Sequence, residues 1–133
     1  MVKIESIKST ISASAQEVYD YLIVPHNYKI LMPSKVRSFE ASTDSATLDI
    51  DGIGIVELAI TERISPSKIV MLPQNKVPFK FNIQWIIVSQ GEHAEVQAVI
   101  NADLNFMMKM VAEGLLKDFV NVQVNKLTEH LKK

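Results

Sequence analysis

The chain contains no cysteine. That absence excludes a disulfide framework, a thiol nucleophile and a thiolate metal site. An excess of charge of either sign is also missing. Fourteen Lys and Arg stand against 15 Asp and Glu, and the resulting net charge of −1 gives no electrostatic footprint for nucleic acid or an anionic membrane. No apolar run approaches the roughly 18 residues of a membrane span. The first residues, Met1-Val2-Lys3-Ile4-Glu5, lack the apolar stretch of a signal peptide. The expectation is therefore a cytoplasmic protein with no nucleic-acid partner and no integral membrane segment. A length of 133 residues is too short to give each of two halves a core of its own, so 1–133 is read as one domain.

What the chain does have is one long uninterrupted segment, residues 105–131, with no proline and a single glycine, Gly114. Its apolar residues recur at steps of three and four: Met108, Val111, Ala112, Leu115, Leu116, Phe119, Val120, Val124, Leu127 and Leu131. That spacing predicts a helix with one broad apolar stripe. Lys109, Glu113, Lys117 and Asn121 fall on the other side. At 1.5 Å per residue the helix is roughly 39 Å long, enough to cross a whole small domain.

At the other end, residues 2–12 read as a strand of unclear facing. Val2 and Ile4 share one parity and Ile7 and Ile11 the other, which a bulge or strong twist would reconcile. Ser14 and Glu17 form a capping-box pattern opening a short helix with Val18, Tyr21 and Leu22 on its apolar side. Pro25 stops it, and residues 26–32 give further helical turns before Pro33. From Lys35 to Asp103 the period becomes two. Six strands are predicted, at 35–41, 45–51, 54–64, 67–73, 78–89 and 92–103. Val56, Leu58 and Ile60, then Phe79, Phe81, Ile83, Trp85 and Ile87, then Val96, Ala98 and Ile100 alternate with polar residues. One face is thus apolar and the other wet, as in an antiparallel meander covered on one side.

This order, strand, two short helices, six strands and a long helix, resembles the helix-grip fold of the START-like (SRPBCC) superfamily. The stretch from Ile11 through Ser12, Ala13, Ser14, Ala15, Gln16, Glu17, Val18, Tyr19, Asp20 and Tyr21 to Leu22 looks like that family's first-strand-to-helix segment. Pro25 and Tyr28 sit at its Pro-x-x-Tyr/Trp step. The resemblance implies an α+β fold in which a seven-stranded curved antiparallel sheet (β-α-α-β6-α) wraps around the C-terminal helix. It also implies a cavity between them. Relatives of this kind include polyketide cyclases and dehydratases, lipid carriers and hormone-binding proteins, and some bind and stimulate a chaperone. Fold alone therefore leaves activity open.

On this parity the cavity lining is Val56, Leu58, Ile60, Phe79, Phe81, Ile83, Trp85, Val96, Ala98 and Ile100, with Met108, Val111, Ala112, Leu115 and Phe119 from the helix. Two readings stand beside each other. Either the lining encloses a pocket for a hydrophobic small molecule or lipid, with Ala98, Ala112 and Gly114 leaving room, or it is a core packed solid by its own side chains. Ser6, Tyr28 and Asn105 are the candidate polar groups for orienting a ligand. Met107, Met108 and Met110 crowd one helical turn, with Met32 and Met71 expected nearby. They suit either an adaptable pocket mouth or a surface for a partner or a second copy.

No catalytic constellation, metal ligand set or cofactor motif emerges. His26, His93 and His130 lack ligand spacing and read as surface residues, His26 having the best claim to more by the family resemblance. Gly52-Ile53-Gly54 reads as a hairpin turn rather than a phosphate loop. Glu57, Arg63, Lys80, Glu95 and Gln97 belong to the solvated sheet face, where cross-strand pairing explains them. The sequence points first to hydrophobic-ligand binding. The alternatives are a cyclase or dehydratase acting on a polyketide-like substrate, implied by the resemblance, and a protein-interaction or chaperone-regulating module.

Overall fold

The computed structural model describes residues 1–132. Ser14 caps the first helix, α1 (Ala15–Leu22), in both directions. Glu17 N donates to Ser14 Oγ at 3.1 Å and Ser14 N to Glu17 Oε1 at 3.3 Å. Val18, Tyr19 and Leu22 turn inward. Val24, extended as residues before proline are, breaks the helix, and Pro25 opens a 3-10 helix, Pro25–Leu31.

The strands are β1 (Val2–Glu5), β2 (Ser9–Ile11), β3 (Val36–Ala41), β4 (Ser45–Ile50), β5 (Gly54–Ile64), β6 (Lys68–Pro73), β7 (Phe81–Gln90) and β8 (His93–Ala102). They form one antiparallel sheet in the order β1-β8-β7-β6-β5-β4-β3, with β2 also on β8. The count is eight rather than seven because the expected first strand is broken. In β1, Ile4 faces Ile100, whereas in β2 Ile11 faces Ala94, a register change of one residue. A one-residue slip exchanges the faces of a strand, so Ile4 and Ile11 are both buried despite opposite parity, and Ile7 between them is exposed.

Inside the sheet the alternation holds. Ala46, Leu48 and Ile50 of β4, Val56, Leu58 and Ile60 of β5, Ile83, Trp85 and Ile87 of β7, and Val96, Ala98 and Ile100 of β8 are buried on the concave face. Outside, Arg63 pairs with Asp44 at 3.0 Å and Asn101 Nδ2 donates to Asn82 Oδ1 at 3.1 Å.

The long helix α2 (Phe106–His130) fills the concavity, its N-terminus capped by Asn105 Oδ1 accepting from Met108 N at 2.9 Å. From Leu116 onward it is tied down by polar contacts. Lys117 Nζ donates to the Glu5 carbonyl, Ile7 N to Asn121 Oδ1 at 2.8 Å and Lys126 Nζ to Met32 O at 2.7 Å, while the Ser9 and Thr128 hydroxyls meet at 2.8 Å. Leu116, Phe119, Val120, Val124 and Leu127 are buried there. Before Leu116 it has no such tethers among the described residues, and Phe106, Met107, Met110 and Val111 are 77%, 77%, 74% and 80% exposed. Among the described residues, no helix is long and apolar enough to cross a membrane.

Candidate functional site

The loosely held end of α2 faces the β4–β5 turn. Gly52 and Gly54, at φ of +90° and +104°, permit that tight reversal, and Gly52 brings its backbone against α2. A Cβ at Gly52 would lie 3.4 Å from Leu115 Cδ2. Between this turn, Pro78-Phe79 and the helix lies an open groove of about 540 Å³. Met107, Met108, Val111, Ala112 and Leu115 line its helical side, and Gly52, Ile53, Pro78 and Phe79 the other, with Lys35 and Asp51 at the rim.

Behind the groove are two much smaller spaces. A void of about 20 Å³ is lined by Ile50, Ile53, Val56, Leu58, Phe79, Phe81, Ile83, Ile100, Leu115, Leu116 and Phe119. Another of about 10 Å³ lies between Tyr28, Met32, Phe39, Ala46, Leu48, Leu58, Met71, Ile83, Trp85, Phe119 and Gln123. The three share walls. Ile53, Phe79 and Leu115 separate the groove from the first void, and Leu58, Ile83 and Phe119 separate the first void from the second. They form a line from solvent to Trp85, closed at two partitions of apolar side chains. One water needs roughly 10–15 Å³, so the inner spaces are water-sized and the core is nearly full.

The inner end is not wholly apolar. Tyr28 Oη donates to the Leu22 carbonyl at 2.7 Å, and its ring meets Trp85 edge-on at 6.4 Å between centroids. Burial pushes the Tyr28 phenol far up; hydrogen bonding from the adjacent Trp85 indole acts the other way, and the Tyr21 phenol upward. Trp85 Nε1 nevertheless has no partner in hydrogen-bond geometry, nor does Gln123 Oε1. Both residues are buried, at 0% and 3% exposure, so each atom costs desolvation free energy that no protein group among the described residues offsets. Burial shifts the Tyr21 phenol upward as well. Tyr28 is the one titratable side chain lining either inner void among the described residues.

The residues expected to line one cavity are distributed along this route. Val56, Leu58, Phe79, Phe81, Ile83, Trp85, Ile100, Leu115 and Phe119 border the inner voids, and Met108 and Ala112 the groove. Ile60, Val96 and Ala98 are buried in the core and border none of the three spaces. Val111 is corrected: it is solvent-exposed on the lip, because the sheet does not reach over the first turns of α2. Gly114 makes no interior room either; it lies on the opposite side of α2, in a groove beside Lys3 and Glu5 of β1.

The polar candidates also change role. Ser6 is spent on the β1–β2 break, where Ala98 N donates to its Oγ at 2.9 Å and the hydroxyl donates to Ile7 O at 2.8 Å. Asn105 is the helix cap, and the Tyr28 hydroxyl donates to backbone. Met32 and Met71 line the inner void, away from Met107 and Met110. Met32 sits beside Lys126, about 27 Å along the helix from Met108 at 1.5 Å per residue. His26, His93 and His130 are all exposed, His130 stacking on Tyr21 with centroids 5.1 Å apart. Gln123 was missed. Its signal was there, as the single polar residue at stripe spacing between Phe119 and Leu127.

No protein-family model matches the sequence. No curated protein resembles it in sequence either. Solved structures do resemble it in shape. The protein XoxI from Bacillus cereus is 12% identical, with a TM-score of 0.76 over 98% of this chain and 96% of that one. A START superfamily protein from Mycobacterium smegmatis is 16% identical, with a TM-score of 0.71 over 97% and 96%. Norcoclaurine synthase from Thalictrum flavum is 10% identical, with a TM-score of 0.74 over 97% and 85%. The protein thus has the START-like helix-grip fold, α+β, with a curved antiparallel sheet around a long C-terminal helix.

Proposed function

We propose that the protein binds a hydrophobic small molecule or lipid along the line from the Met107–Leu115 groove to Trp85. The observation that carries this reading is the sharing of walls between an open, largely apolar groove and two inner voids. Ligand sites are concave and mostly apolar with a few placed polar groups, which is the composition found here. The stretch of α2 before Leu116 supplies the motion that admission requires, since it lacks polar tethers among the described residues and is held over the partition by packing at Met108, Ala112 and Leu115. Binding without catalysis fits the lining better than a cyclase or dehydratase activity. Acid–base work in the inner voids would fall to Tyr28, whose raised pKa and bond to Leu22 O keep it protonated.

Titration with the uncharged fluorophore N-phenyl-1-naphthylamine tests the reading. Saturable one-to-one enhancement is expected, weakened several-fold by Val111→Glu at the lip and unchanged by Ile64→Glu on a distant exposed strand end. Non-saturating enhancement, or equal loss in both variants, would contradict it.

The exposed quartet Phe106, Met107, Met110 and Val111 favours a second reading, an interface for a partner or a second copy. Under it, Met107→Glu with Met110→Glu disperses dimers in sedimentation velocity without changing thermal stability. A wild-type protein that is monomeric at all concentrations, with no partner-dependent shift, counts against it.

A further inference from the structure

Trp85 and Gln123 reach the inner void from opposite layers, one from the sheet strand β7 and one from α2. One presents an indole N–H without an acceptor, the other a carbonyl oxygen without a donor. Two complementary orphans against one space of about 10 Å³ are a costly arrangement in an otherwise apolar core. A single group lodged there lies against both side chains.

Chemistry narrows what that group is. A carbonyl or ether oxygen accepts from Trp85 and leaves Gln123 unpaired. A primary ammonium donates to Gln123 and leaves Trp85 unpaired. A carboxylate would be a buried anion, and no Lys, Arg or His lines the void to compensate it. A hydroxyl answers both atoms, accepting from Trp85 Nε1–H while its own proton goes to Gln123 Oε1, and it can belong to a single water or to an alcohol whose chain lies in the adjoining section. Tyr28 is not available as donor, since its proton is held by the Leu22 carbonyl, and although the Trp85 indole is near enough to act on the phenol, Nε1 does not reach the Tyr28 oxygen in hydrogen-bond geometry.

We propose that the channel takes an apolar alcohol, its chain in the Phe79–Leu115–Phe119 section and its hydroxyl between Trp85 and Gln123. This inference rests on the binding reading above and adds the ligand's functional group. It is distinct from Ser6, Tyr28 and Asn105, the polar groups that the sequence had suggested for orientation.

The test compares 1-octanol, heptyl methyl ether and nonane, matched in heavy-atom count. Trp85, the chain's only tryptophan, reports on binding through its own fluorescence. The alcohol is expected to bind about tenfold tighter than the ether, and the ether tighter than nonane. Gln123→Met should erase the advantage of alcohol over ether. Trp85→Phe, followed by calorimetry, should bring the ether down to nonane and leave the alcohol only its bond to Gln123. Equal affinity of all three probes for the wild type would overturn the hydroxyl anchor and leave the binding reading standing. Saturable binding of none would overturn both. An alcohol preference that survives Gln123→Met, or the double replacement with Trp85→Phe, would place the hydroxyl elsewhere and refute the assignment.

Discussion

Replacing Gln123 with Met should make the protein more stable. Most substitutions at a residue this buried are destabilising, so the direction itself is diagnostic. Gln123 projects from α2 among Tyr28, Met32, Phe39, Trp85 and Phe119, and its Oε1 has no donor. An unsatisfied buried polar group costs about 1–3 kcal/mol. Met has nearly the same length and unbranched shape, and its thioether adapts to irregular space. It also retains helix propensity. The expected gain is therefore about 1–2 kcal/mol, or a Tm rise of roughly 4 °C per kcal/mol for a chain of this size. Urea unfolding followed by Trp85 fluorescence, with calorimetry as a check, reads this as a higher midpoint at unchanged slope. A loss of about 1 kcal/mol or more would refute the reasoning, because the amide would then be making a bond that the orphan assignment denies it.

Phe119 walls both inner voids, so Phe119→Ala should join them at a cost of about 3–5 kcal/mol, and nonane should restore part of the lost stability in thermal melts. At Gly114 an added Cβ meets nothing within 4 Å; Gly114→Ala should raise stability by about 0.5–1 kcal/mol in chemical denaturation through helix propensity alone. Ser6→Ala leaves the buried Ala98 N–H without its hydroxyl acceptor and should cost about 1–3 kcal/mol, with faster amide exchange at Ala98 as the local readout. The Tyr28 phenol is shifted upward in the folded state, so it stabilises the fold fully below its unfolded pKa of about 10 and that contribution is lost as pH rises above it. Unfolding at pH 8 and pH 11 should show that decline, and Tyr28→Phe should lessen it while lowering stability at pH 8.

The sheet was legible because alternation is a strong signal where one face is covered. Val56, Leu58 and Ile60, or Ile83, Trp85 and Ile87, have the same facing in the structure as in the sequence. The N-terminal strand was only half legible. Its conflicting parities announced a slip, but neither its position nor the use of Ser6 to bridge it follows from side-chain period. The helix was read correctly as a helix and its covered end too generously. Stripe spacing says which residues share a face, not how far the sheet extends above them, and so Val111 was placed inside. The degree of filling was not legible at all, since an apolar lining has the same pattern whether it closes on itself or surrounds a ligand. Gln123 was readable as an exception within the stripe, whereas the missing partner of Trp85 Nε1 depends on tertiary geometry alone.

The central claim is that the space between the sheet and α2 opens to admit an apolar molecule. Intermolecular nuclear Overhauser effects between unlabelled 1-octanol and isotope-labelled protein test it most directly. The account expects contacts from the alkyl chain to Phe79, Leu115 and Phe119, the residues that partition the channel. Contacts confined to Phe106 and Met110, on the far side of α2 from the mouth, would contradict it and make the exposed helix face the binding surface instead.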